Sequence, residues 1–238
     1  MYRAVDLYCQ QAAKLFIRSL QSRPNFARTT IKVLCLWLSV TPEQAAKILW
    51  LCQGIQELTL QISANLPDGQ NPLYASLDSL HLAMLSLDLE SVFYGPMISL
   101  PDLPLLCRVQ RLHLINGWVT RRGLYIGLQE LRHLTHVSFP VQPPGQDGVH
   151  TEILTYILDT FHALQVLILW RMPYQESSVI YGALKGRFLA DPRIVVFNAA
   201  RFDECAEPDN NFWRFAESIV QWRKDSKSMS VLVLLYLY

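Results

Sequence analysis

Charged residues are scarce in this sequence. Asp, Glu, Lys and Arg make up only 17% of the 238 residues, whereas apolar residues make up 51%, and this balance excludes an intrinsically disordered chain. The net charge of +1 offers no overall attraction to nucleic acid or to an acidic membrane surface. We therefore expect one or two domains that bury a substantial core.

Features of secreted and membrane-spanning proteins are also missing. The most apolar run, residues 231–238 (VLVLLYLY), is far shorter than the roughly 20 residues that a membrane-spanning helix needs. The N-terminus lacks the long apolar stretch of a signal peptide, and no Asn-x-Ser/Thr acceptor occurs. The five cysteines show neither a Cys-x-x-Cys pair nor the spacing of zinc ligands. These absences predict reduced thiols in a cytoplasmic or nuclear protein without a membrane partner.

No motif for catalysis or nucleotide binding is present. The chain has no GxxxxGK[ST], GxSxG or HExxH pattern. The sequence His150-Thr151-Glu152 lacks the Pro-Cys-x-x-Cys half of a deaminase zinc site. We therefore predict a protein that is not an enzyme, with no cofactor and no metal site.

What the sequence does contain is a repeated apolar pattern. An apolar-x-x-apolar-x-apolar triplet recurs along the chain, at or just above the spacing of 20 to 29 residues that is typical of leucine-rich repeats. Each triplet predicts a strand whose central residue points into the core, which gives seven parallel strands in sequence order. The triplets are Ile31/Leu34/Leu36, Ile55/Leu58/Leu60, Leu77/Leu80/Leu82, Val109/Leu112/Leu114, Leu134/Val137/Phe139, Leu164/Leu167/Leu169 and Ile194/Phe197/Ala199.

Helix signals lie between several triplets. In the clearest, Thr41 can cap a helix that starts at Pro42, and Gln44 can complete a capping box. Apolar residues at helical spacing occupy later gaps, whereas residues 64–73 and 86–105 contain Pro and Gly and are expected to be loops. Strands alternating with helices and loops predict an α/β fold.

The predicted architecture is a leucine-rich-repeat-like solenoid, in which a curved parallel sheet carries helices and loops on its convex side. The expected parts are an N-terminal helical cap (1–28), a solenoid of about seven units (29–203), and a C-terminal capping helix with an apolar tail (204–238). The tail is an aggregation hazard unless it pairs with the edge of the last repeat.

Several segments resemble the F-box/leucine-rich-repeat-like proteins of mushroom-forming fungi. In that family an F-box docks onto the adaptor of a cullin-type ubiquitin ligase, and the repeats are presumed to hold a target. No F-box precedes the repeats in this sequence, so binding to the ligase adaptor is expected only if that module is missing from the gene model. The resemblance rests on residues 19–27 (SLQSRPNFA), 31–38 (IKVLCLWL), 48–60 (ILWLCQGIQELTL), 134–140 (LTHVSFP), 191–197 (DPRIVVF) and 212–224 (FWRFAESIVQWRK).

The strand register also predicts a binding face. If the central residue of each triplet points inward, alternate residues lie on the concave surface. His81 and His113 share one such position, Arg111 and His136 the preceding one, and Trp37 and Trp170 the following one. No carboxylate or cysteine completes a metal site beside the histidines. The predicted partner-binding residues are Trp37, His81, Arg111, His113, His136 and Trp170.

Charge along the chain points to the class of partner. Residues 48–107 contain six acidic residues and no Lys or Arg, whereas residues 108–136 contain five Arg and one Glu. Such polarity favours a protein target over nucleic acid, which usually meets one continuous basic stripe. We predict a non-catalytic protein-interaction module, and the resemblance implies target recognition derived from an F-box-type ubiquitin ligase receptor. The alternatives are a hydrolase or metal enzyme on a doubly wound α/β sheet, or a truncated gene remnant without activity.

Overall fold

A single parallel sheet organises the chain. The computed structural model describes residues 3–62, 72–88, 92, 100, 103–115, 127–141, 147–171, 190–199, 211–226 and 235–237. Within these residues nine strands form one sheet, and each strand pairs in parallel with its neighbours in sequence. The strands are β1 (Ala4–Leu7), β2 (Val33–Leu36), β3 (Glu57–Leu60), β4 (Met84–Leu87), β5 (Arg111–Leu114), β6 (His136–Val141), β7 (Val166–Arg171), β8 (Ile194–Ala199) and β9 (Leu235–Leu237).

Helices connect the strands and pack on one face of the sheet, here named the inner face. Short 3-10 helices at Pro104–Arg108 and Leu128–Glu130 take the place of α-helices before β5 and β6. A further helix, α6, follows β8 and lies on the opposite, outer face. The α-helices of the described residues are α1 (Gln10–Ser22), α2 (Pro24–Thr29), α3 (Pro42–Leu51), α4 (Leu73–Asp78), α5 (Asp147–Thr160) and α6 (Asn211–Ser226).

Helix α3 begins where its sequence predicts. The Thr41 hydroxyl accepts a hydrogen bond from the Gln44 amide at 3.3 Å, and the Gln44 side chain accepts one from the Thr41 amide at 3.3 Å. The capping box is therefore confirmed, with Pro42 at the first helical position, where its missing N–H costs nothing.

Leucine ladders on the inner face hold the sheet to the helices. Leu34 and Leu58 are register partners, as are Leu112 and Val137, and all four are fully buried. Because alternate side chains of a strand point to opposite faces, the residues between them lie on the outer face. The inner ladders pack against buried side chains of α1, α3 and α5 in one continuous core. The predicted orientation of these triplets is confirmed.

Two triplets were placed wrongly. In the third, Leu77 lies in α4 and Leu80 precedes the strand, because the true strand triplet is Leu82/Leu85/Leu87. Leu85 pairs with Leu58 on one side and with Leu112 on the other, and each partner is 27 residues from Leu85 in the sequence. Residues 86 and 87, expected in a loop, therefore belong to β4. In the seventh triplet, Phe197 pairs with Trp170 on the outer face.

The ends of the chain also differ from the prediction. The segment predicted as a helical cap, 1–28, contains β1, which pairs with β2 ahead of α1. Helix α6 was expected to close the open end of the sheet, but it packs on the outer face against β7 and β8. Residues 235–237 of the apolar tail form β9, which extends the sheet beside β8; the rest of the tail lies outside the described residues.

The fold class is confirmed at the level of an α/β protein with a single, all-parallel open sheet. The strand order differs from that of a doubly wound sheet, where it reverses at a switch point, so the doubly wound alternative is wrong. The finer assignment, a leucine-rich-repeat-like solenoid, stays a prediction.

Candidate functional site

Four of the six predicted binding residues come together on the outer face, and α6 covers them. Arg111 and His113 lie on β5, His136 on β6 and Trp170 on β7. His113, His136 and Trp170 are buried, and Arg111 is partly exposed. We refer to these four residues as the covered cluster. No partner can contact its three buried members while α6 is in place.

His81 is not part of this surface, because the third strand begins later than predicted. His81 lies in the connection between α4 and β4 and is exposed. The residue that occupies the position next to His113 in the sheet is Ser86. The proposed pairing of two histidines on adjacent strands is therefore wrong.

Helix α6 covers the outer face with an apolar stripe. Five of its side chains are buried at a spacing that places them on one side of a helix. They pack on the outer-face residues of β7 and β8, which are apolar. The stripe on α6 consists of Phe212, Trp213, Ala216, Ile219 and Val220. On the sheet it packs against Val166, Ile168, Trp170, Val195 and Phe197.

A serine links the indole and the imidazole of the covered cluster. The Trp170 indole N–H donates to Ser138 Oγ at 2.6 Å, and His113 Nδ1 lies 3.0 Å from the same oxygen. An indole nitrogen can only donate, so the serine hydroxyl keeps its own proton for the imidazole. The rings of Trp170 and Phe212 pack edge to face, with centroids 5.4 Å apart. This network suits an uncharged His113.

A carboxylate of α6 bridges two residues of the sheet. Arg111 Nη2 donates to Glu217 Oε1 at 2.7 Å, and His136 Nε2 lies 3.1 Å from the same oxygen, off the direction of a well-aligned hydrogen bond. The other ring nitrogen of His136 lies 2.7 Å from the Thr135 hydroxyl. The Trp213 ring meets His136 edge to face, with centroids 5.6 Å apart. Glu217 thus ties α6 to β5 through charge and contacts His136 of β6.

Burial keeps both imidazoles neutral near pH 7. Burial lowers the pKa of His113 to about 3. Burial and then the Arg111 guanidinium lower the pKa of His136 to about 4, although Glu217 acts in the opposite direction. Neither ring can gain a proton without a large loss of solvation.

Trp37, the fifth predicted residue, directly follows β2 and lies far from the covered cluster. The Tyr8 and Trp37 rings stack with centroids 5.2 Å apart at 13°, and the Trp37 indole N–H donates to Asp6 Oδ1 at 3.3 Å. Tyr8 is 60% exposed and Leu38 71% exposed. We name Asp6, Tyr8, Trp37 and Leu38 the aromatic corner; it lies at the carboxyl ends of β1 and β2.

Cys35 lies behind the aromatic corner and is not a reactive thiol. Burial, and next the Asp6 carboxylate that accepts a hydrogen bond from the thiol, raise the pKa of Cys35 to about 12. The thiolate is the reactive form of cysteine. Cys35 therefore acts as a small buried side chain that helps to position Asp6.

Four residues of these sites escaped the sequence analysis, namely Asp6, Tyr8 and Leu38 of the aromatic corner and Glu217 of α6. Asp6 and Tyr8 were missed because residues 1–28 were expected to form a helical cap, whereas they contain the strand β1. Glu217 was missed because the helix that carries it was expected to cap the end of the sheet. Its position four residues after Trp213 was the available signal, since that spacing puts both side chains on one helix face.

The described residues show no metal site and no membrane-spanning helix. The described residues contain no group of three or more His, Cys, Asp or Glu that could hold a metal ion. None of their helices combines the length and apolar character needed to cross a bilayer. The four cysteines among them, Cys9, Cys35, Cys52 and Cys107, form no disulfide; Cys205 lies outside the described residues.

Comparison with known proteins finds no matching family model, no matching curated protein and no matching solved structure. Any function proposed for this chain therefore depends on its own sequence and geometry.

Proposed function

We propose that this chain is a non-catalytic protein-interaction module and that its target binds at the aromatic corner. The observation that carries the proposal is the stack of exposed Tyr8 on half-buried Trp37, followed in the chain by exposed Leu38. Tyr and Trp are enriched among the residues that dominate binding energy at protein interfaces. Both rings are held by the sheet, so little side-chain entropy is lost when a partner packs on them.

The chemistry of the corner favours a partner segment that presents Arg or Lys. The Asp6 carboxylate accepts the Trp37 indole N–H, and the two stacked rings offer a π face next to that negative charge. A cation over such a face is attracted by the ring quadrupole and by the carboxylate together.

A more specific form of this proposal is that the chain is, or derives from, a ubiquitin ligase receptor. It is supported by the sequence resemblance to F-box/leucine-rich-repeat-like proteins and by the sequential parallel strand order. In this form the target would be a cytoplasmic or nuclear protein, and an F-box would supply contact with the ligase adaptor.

Site-specific photo-crosslinking tests the binding surface. A photoreactive phenylalanine analogue is placed at Leu38 in one variant and at Trp50 in a matched control. Trp50 is 63% exposed, but it lies on α3 on the inner side of the sheet. We expect the Leu38 variant to crosslink a discrete protein, and a Tyr8→Ala change to remove that product. Equal crosslinking from Trp50, or none dependent on Tyr8, would contradict the proposal.

A further inference from the structure

Two buried imidazoles lie at the contact between α6 and the sheet. His113 is 1% exposed and its ring faces Phe212 of α6, with centroids 5.7 Å apart. His136 is also buried and faces Trp213 and Glu217 of the same helix. Both rings become accessible to water only if α6 leaves the outer face.

Burial, more than nearby charge, opposes protonation of both rings in the closed form. His113 is surrounded by Ser138, Trp170 and Phe212, and burial is what disfavours its charged form. His136 faces one cation, Arg111 of β5, and one carboxylate, Glu217 of α6.

The α6 contact also leaves a polar group unsatisfied. Within the described residues, the buried Trp213 indole N–H has no hydrogen-bond partner. A buried donor without an acceptor costs free energy that opening would recover. Helix α6 is therefore less firmly attached than its apolar stripe alone would suggest.

We propose that α6 is a pH-sensitive cover, which protonation of His113 and His136 releases from the outer face of β5–β8. Release would expose the apolar strip of β7 and β8 together with the covered cluster. The aromatic corner lies at the other end of the sheet, so this inference does not depend on the proposed function.

The sign follows from linkage between protonation and opening. The closed-state pKa values, about 3 for His113 and about 4 for His136, lie below the ordinary value of 6.5 that each ring regains on opening. The closed form therefore has its full stability above pH 6.5 and loses it as the pH falls towards 4. Between pH 7 and pH 5 the opening equilibrium shifts by about 20-fold for each histidine, or about 400-fold for both.

Hydrogen exchange of the α6 amides measures this opening directly. After correction for intrinsic exchange rates, we expect protection of residues 213–224 to fall by about 400-fold between pH 7 and pH 5. Global unfolding exposes the same two histidines, so amides of β2 and β3 that exchange through it should lose protection by a similar factor but stay better protected than α6 at both pH values. If α6 keeps its protection at pH 5, or if α6 is no less protected than β2 and β3 at either pH, the proposal is wrong.

Matched variants identify the groups that titrate. His113→Gln together with His136→Gln should abolish the pH dependence of α6 protection. His133→Gln together with His162→Gln, which changes two exposed histidines, should leave it intact. If the first variant fails to fold, Glu217→Gln replaces it: α6 should then be less protected at every pH but keep the same pH dependence. A Glu217→Gln protein with no remaining pH dependence would overturn the histidine assignment.

Discussion

The two ends of the sheet share one inner face but differ on the outer face. At β1–β3 the outer positions carry Asp6, Cys35, Glu57 and Thr59, which are polar or small. At β7 and β8 the corresponding positions are large and apolar, and α6 packs on them. The leucine ladders thus fix the sheet, while the outer residues decide which part of it needs a cover.

The largest effect on stability should come from removing the Trp213 side chain, which holds α6 to the sheet. Trp213 is fully buried between α6 and His136, so Trp213→Ala should cost about 3–5 kcal/mol in the free energy of unfolding of the α6 contact. The matched control, Trp222→Ala, changes a side chain on the same helix that is 46% exposed and should cost less than about 1 kcal/mol. Denaturant unfolding followed by circular dichroism measures both, and equal losses would show that α6 does not pack through Trp213.

A substitution at Gly54 should damage the other end of the sheet. A Cβ at this position would lie 1.8 Å from the Arg28 carbonyl oxygen, which is a backbone atom that cannot rotate away. Gly54→Ala should therefore destabilise the protein by about 1–3 kcal/mol, as overpacking does in a tight core. The exchange protection of β2 and β3 should fall more than that of α6. Wild-type stability in this variant would show that the close approach does not exist.

The ion pair between α6 and β5 should contribute less. Arg111 and Glu217 are each more than one-third exposed, so solvent screens their attraction. Glu217→Gln should cost about 1 kcal/mol or less at low salt, and the loss should shrink as salt is added. Asp225→Asn, on the exposed last turn of α6, is the control. A loss that is independent of salt would mean that Glu217 acts through packing.

The smallest effect on stability is expected at the aromatic corner. Tyr8 is largely exposed, so Tyr8→Ala should change the free energy of unfolding by about 0.5 kcal/mol. The contrast with Trp213→Ala is the sharpest test of the difference between the two ends, because each change removes one aromatic ring from the outer face. A Tyr8→Ala protein as unstable as Trp213→Ala would show that the corner is structural.

The sequence predicted the inner face well because burial there repeats. Leu34, Leu58, Leu112, Val137 and Leu167 could all be placed from spacing alone, and Thr41 and Gln44 marked the start of α3. The third strand was missed because consecutive leucines at 77, 80, 82, 85 and 87 satisfy the same pattern in two registers. A shift of register moves His81 off the sheet and puts Ser86 in its place.

The outer face could not be predicted in the same way. The sequence of an amphipathic helix such as α6 shows that one side of the helix is buried, but it does not identify the surface against which that side packs. Phe197 gave the one indication of the surface that α6 covers. It is the register partner of Trp170, and the two aromatic side chains form an apolar strip on a face that was expected to be polar.

The sequential strand order has a consequence for how the chain folds. Every strand pairs with its sequence neighbour, so each step of sheet growth closes a short segment of chain, which costs little entropy. The Arg111–Glu217 contact instead joins residues 106 positions apart. Helix α6 can dock only after β7 and β8 have presented their apolar strip. We therefore expect the sheet to assemble through local contacts and the cover to close over it as a later event.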